Sequence, residues 1–213
     1  MRRRTPLNLY NKVRFITPQE DQASYLEQQK LLAQFEAAPG PEPLLRLALL
    51  LDFPPIANYE CAIDLLWQTW TQFQDARAVL LGAYMGLMEG AGIGASFSAV
   101  LQDGLSQSSP KLQACGAYLL AKQIQMWSTG ETAQAVALLE QSISLCPDTV
   151  TPYLELARLR PRQRQTLLET ARAKVQRVYS VSQLEEMPLE ALLSPDRMID
   201  EILGIECSEI TQP

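Results

Sequence analysis

Apolar positions recur at helical spacing over most of the chain, between prolines and glycines that punctuate it. Thr17, Pro18 and Glu20 read as an N-cap, a first-turn proline and the far side of a capping box. They start a helix that Pro39-Gly40-Pro41 ends after about Ala38. Residues 44–53 are almost continuously apolar, as expected of a helix buried on several sides, and Pro54-Pro55 breaks it. Residues 59–73 place Ala62, Ile63, Leu66, Trp67 and Trp70 at helical spacing. Further pairs follow: 75–89 with 93–105, joined near Gly90-Ala91-Gly92; 112–128 with 132–145, joined at Gly130; and 152–160 with 162–179. The pattern predicts an all-α protein. The small residue of each second helix recurs at Ala62, Ala95 and Ala135, at intervals of 33 and 40 residues.

The ends differ from the middle. Residues 1–16 form a basic arm with alternating polarity, carrying Arg2, Arg3, Arg4, Lys12 and Arg14. Residues 182–213 form an acidic tail in which Arg197 is the only base. Within it, Ser194 caps a predicted short helix that begins at Pro195 and ends at Gly204, with Met198, Ile199, Ile202 and Leu203 as its apolar face. The repetitive part spans 17–181.

Four stretches carry a family resemblance. Gly130, Ala135, Leu139, Ile143, Leu145 and Pro147 fit the turn and second helix of a tetratricopeptide repeat (TPR), a helix pair of about 34 residues. Tyr153, Leu156 and Ala157 fit the first helix of such a unit, and Tyr59, Ala62 and Ile63 a second helix. Leu81-Gly82-Ala83-Tyr84 echoes a first helix. Lys122 and Gln123 depart from the pattern, which expects a Leu-Gly-like pair there. The resemblance, over about 43–180, implies four TPR-like antiparallel helix pairs stacked in a short right-handed solenoid, with an N-terminal helix before them and a C-terminal capping helix after.

Charge and composition narrow the chemistry. The 213-residue chain has 47% hydrophobic and 20% charged residues, a net charge of −6 and no histidine. The missing histidine removes Ser-His-Asp and Cys-His catalysis and the commonest metal ligand. Cys61, Cys115, Cys146 and Cys207 are scattered without paired spacing, which points to buried thiols in a reducing compartment and away from zinc. The expectation is no enzyme, no cofactor and no metal. The stretch 78–101 has the length of a membrane span, but its five glycines and the central Glu89 oppose insertion. The basic start runs into alternation and not into an apolar run, so no secretory leader is expected, and the expected location is cytoplasmic.

Gly90-Ala91-Gly92-Ile93-Gly94 resembles a phosphate loop only superficially, because neither a preceding strand nor a following Gly-Lys-Ser/Thr accompanies it. It reads as an inter-helix turn. The series Ala78, Gly82, Gly86 and Gly90, four apart, predicts a smooth packing ridge.

Residues 158–177 hold Arg158, Arg160, Arg162, Arg164, Arg172, Lys174 and Arg177 against Glu169 alone. Two readings stand: a solvated face partly neutralised by the acidic tail, or a groove for an acidic peptide or phosphate. A tail lying over the groove would compete with such a ligand. In the repeat register Met85, Glu89, Trp127, Arg158 and Arg162 fall on first-helix faces and are the candidate partner contacts. The family resemblance implies a protein–protein interaction module that takes a partner segment in its concave groove, as an adaptor, assembly factor or chaperone. Alternatives are an immunity protein or secretion chaperone masking a toxin or effector, and nucleic-acid binding through 158–177, against which the net charge weighs. Self-association through an exposed solenoid face is compatible with the sequence.

Overall fold

A computed structural model describes residues 16–52, 56–128, 130 and 132–175. The basic arm apart from Ile16, and the acidic tail with its short helix, lie outside the described residues. All regular structure among the described residues is helical, as the pattern predicts. The chain forms two compact units, Met1–Phe97 and Ser98–Pro213.

Unit 1 holds α1 (Gln22–Ala37), α2 (Pro41–Asp52), α3 (Tyr59–Phe73) and α4 (Ala76–Met88). The first helix starts later than its capping box suggests. The Glu20 carboxylate does accept from the Thr17 amide at 2.9 Å, but it closes a turn over 17–20. The cap itself is Asp21, whose carboxylate accepts from the amides of Ala23 and Ser24 and is held below the usual range, chiefly by Ser24. Before the turn, the buried Gln28 amide bonds both the N–H and the C=O of Ile16, at 2.9 and 3.1 Å.

α2 packs between α1 and α3, which explains its almost continuous apolar run: Leu44, Leu45, Leu47, Ala48 and Leu51 are all fully buried. α3 ends on Gln74 in the left-handed region, and the next residue, Asp75, caps α4. That two-residue turn folds α4 back onto α3. α4 also meets α2 and, Arg77 apart, is buried from Ala76 to Leu87.

Of the predicted small-residue ridge, Gly82 and Gly86 have the packing role its spacing implies, whereas Gly90 lies past the end of α4, exposed and with nothing packed against it. A methyl group at Gly82 would stand 2.6 Å from the Phe97 ring, and one at Gly86 would collide with the carbonyl oxygen of Gly92. The helix closes with Gly90 at φ +69°, the Ala91 amide reaching back to the Gly86 carbonyl at 3.0 Å and the Gly90 amide to Leu87 at 3.2 Å. This is a Schellman ending, so the glycine run serves as a helix stop.

The pair expected over 75–89 and 93–105 is realised unequally. α5 (Ala95–Gln102) has only eight residues and carries the boundary between the units. Ala95 is exposed, so it does not take the small-residue position the register assigns to it. Phe97 is buried and packs edge-on against Trp67, their centroids 5.3 Å apart. The apolar stretch 78–101 is thereby cut in two, and among the described residues no helix is long and apolar enough to cross a membrane.

Unit 2 holds α6 (Pro110–Trp127), α7 (Thr132–Leu145), α8 (Thr151–Leu159), a single 3-10 turn (Pro161–Gln163) and α9 (Arg164–Val175). Ser109 caps α6 and Pro110 opens it. α6 and α7 form a close helical hairpin, with Ala135 and Leu139 fully buried and the Ser142 hydroxyl donating to the Ala114 carbonyl at 2.7 Å. α7 packs on α8, and α8 on α9. Cys61 and Cys115 are buried thiols and Cys146 is half-buried.

Candidate functional site

In each unit an ion pair ties two helices that run in the same direction, with an antiparallel helix between them in the chain. In unit 1, Arg77 of α4 donates to Glu42 of α2 at 2.8 Å and forks onto Asp75 at 2.7 and 3.0 Å. Burial works against the Glu42 charge, but the guanidinium groups of Arg46 and Arg77 hold its carboxyl below the usual range. In unit 2, Lys122 of α6 reaches Glu155 of α8 at 3.0 Å, and Arg158 donates to the same carboxylate oxygen at 2.9 Å. Glu155 is 4% exposed, so both cations are needed to hold its charge away from water. The bonded residues are 35 and 33 positions apart.

The unit 2 pair fixes the register of the surface above it. Met126 lies one turn beyond Lys122 on α6, and Arg158 one turn beyond Glu155 on α8. The last turn of α6 therefore stands beside the last turn of α8. Met126 and Trp127 are 50% and 46% exposed there. Gln125, in the same turn, has its amide nitrogen buried with no hydrogen-bond partner among the described residues. Arg160 pairs with Glu140 at 2.6 Å. Arg162 and Arg164, in the 3-10 turn and the start of α9, are exposed, and no carboxylate among the described residues pairs with them. This end of the unit thus presents two apolar side chains and a set of hydrogen-bond donors. The opposite end is quieter: Lys174 sits over the Tyr153 ring at 5.3 Å and reaches Asp148 at 3.3 Å.

Of the five candidate contacts, Trp127, Arg158 and Arg162 lie at the ends of α6 and α8 and in the turn that follows. Met85 does not present a surface. It is fully buried, because α2 and α3 cover α4 and Phe97 closes over Gly82. Its side chain belongs to the core of unit 1. Glu89 is exposed, as the C-cap of α4 in unit 1. Sequence reasoning missed Met126, Lys122 and Glu155. The 33-residue separation of Lys122 and Glu155, one repeat length, is the signal that points to them.

Unit 1 has its own charged cluster. Asp52, Tyr59 and Glu89 gather where α2 and α4 end and α3 begins. One Asp52 carboxylate oxygen is buried and unpartnered among the described residues. Burial, with the Glu89 charge adding to it, pushes the Asp52 carboxyl up to about 6. Burial and then the two carboxylates raise the Tyr59 phenol.

Comparison with protein-family models, with curated proteins and with solved structures finds no match.

Proposed function

We propose that this chain is a non-enzymatic protein–protein interaction module built of TPR-like helix pairs. The observation that carries the reading is the repeated tie between like helices. α2 with α4, and α6 with α8, are the first helices of successive pairs, and each couple is bridged by an ion pair about one repeat apart in sequence. A stack of this kind lines up first-helix side chains on one face, where a partner segment binds. The exposed Trp127 and Met126 beside Arg158 and Arg162 support that face as the contact surface in unit 2, since tryptophan and arginine dominate binding hot spots. A solenoid arrangement and adaptor, assembly-factor or chaperone work follow from the same reading.

The test is affinity capture of the tagged full-length protein from its native cell, read by mass spectrometry and by absorbance at 260 nm. One protein recovered near stoichiometric amount, without nucleic acid, is the expected result. Nucleic acid that washes off steeply with salt, with no protein partner, overturns the reading.

A further inference from the structure

Three features of the α6–α8 end of unit 2 converge on one kind of ligand. The first is donor excess. Arg162 and Arg164 are exposed and have no carboxylate partner among the described residues, while Gln125 holds a buried amide donor without an acceptor. Nearby, Arg158 and Arg160 already spend one arm each on Glu155 and Glu140, which fixes the direction of their guanidinium groups. Arginine forks match carboxylates in plane and in spacing. The second is the adjacent apolar pair. Met126 and Trp127 are half-exposed at a helix end, whereas Trp67 is held against the Phe97 ring. The third is charge balance. The chain as a whole is at −6, so a strong local cationic patch stands out against a repelling background.

We propose that this end of unit 2 receives an acidic segment of a partner protein, whose carboxylates are bound by Arg162 and Arg164 while an apolar side chain seats against Met126 and Trp127. The proposal rests on the interaction-module reading and names the chemistry of the partner. A protein segment fits better than nucleic acid. Tight duplex binders neutralise about 6–10 phosphates, and the arginines at this end without a carboxylate partner among the described residues are Arg162 and Arg164. A short acidic stretch needs only two forks and one apolar anchor to gain specificity, because well-packed aromatic and arginine contacts carry most of an interface's affinity.

The test uses the full-length protein and fluorescence anisotropy with three labelled probes: a twelve-residue peptide of Glu-Glu-Leu repeats, the same peptide with Gln for Glu, and a twelve-nucleotide oligothymidylate. The acidic peptide binds, at least ten-fold more tightly than the Gln peptide and the oligonucleotide, and its affinity falls with salt. Arg162→Glu with Arg164→Glu weakens it at least ten-fold, and Trp127→Ala about ten-fold, with circular dichroism melting curves like that of the parent. Arg162 and Arg164 are exposed and Trp127 is half-exposed at a helix end, so the melting curves separate loss of binding from loss of fold. Absence of acidic-peptide binding, equal binding of the oligonucleotide, or indifference to the substitutions overturns the proposal. A captured protein partner that still binds the Arg162→Glu, Arg164→Glu chain at full strength overturns it too, but leaves the interaction-module reading standing. Failure to capture any protein removes that reading itself.

Discussion

Asp52 and Lys122 illustrate opposite uses of a buried charge. Asp52 is part-buried at the end of α2, which disfavours its charged form, and Glu89 at the end of α4 adds like charge. Its carboxyl therefore binds a proton more tightly in the folded chain, at about 6 against an ordinary 3.8. The folded state gains from that proton below pH 4, and the gain is lost as pH rises from about 4 through 6. At pH 7 the ion remains as a penalty of about 1–2 kcal/mol, reduced from the full linkage value because the side chain is only part-buried. Asp52→Asn should raise the melting temperature at pH 7 and flatten its decline between pH 4 and 7. An unchanged pH profile would rule out this account of Asp52. Lys122 instead neutralises a buried carboxylate. Lys122→Met leaves Glu155 with Arg158 alone and should cost about 2 kcal/mol, less than the 3–5 typical of a fully broken buried pair. Replacing Glu155 by Leu as well should recover most of that loss in urea unfolding, since an apolar pair removes the stranded charge. Neither ion is visible as special in a single stretch of sequence. Their partners lie 37 and 33 residues away, and only the repeat length hints at the second.

At the scale of the helices, most of the architecture was legible. The helical period, the prolines at 39, 41 and 54–55, and the turn glycines place every described helix, because local capping and breaking compete little with tertiary forces there. Two elements departed from expectation for identifiable reasons. Asp21 took the cap from Thr17 because its carboxylate serves two amides at once, while Glu20 was engaged in the preceding turn. The helix 95–102 is short because Gly92 and Gly94 precede it and Gly104, at φ +81°, stops it. The glycine ridge of α4 makes a further prediction. Ala in place of Gly gains up to about 1 kcal/mol of helix propensity. Overpacking costs about 1–3 kcal/mol, so it prevails where the neighbour cannot move. At Gly82 the obstacle is the Phe97 ring, a side chain that can swing aside. At Gly86 the obstacle is the Gly92 backbone, fixed by the helix ending. Gly86→Ala should therefore destabilise more than Gly82→Ala in parallel urea melts, and the reverse order would contradict this packing of α4.

Across the whole molecule, the sequence makes legible which residues are apolar and cationic but not which of them the fold leaves exposed. Met85 and Trp127 look equivalent in the repeat register, yet Met85 is walled in by α2 and α3 while Trp127 is half-exposed as the last residue of its helix. Burial on a helix depends on what packs over it, and that is set by distant segments. The proposed partner surface is the exposed ends of α6 and α8. Amide hydrogen exchange on the full-length chain, alone and bound to its captured partner, tests this most directly. Partner binding there should slow exchange chiefly at 124–128 and 156–165 and leave α4 unchanged. Protection confined to unit 1, or none in those two segments, would contradict it.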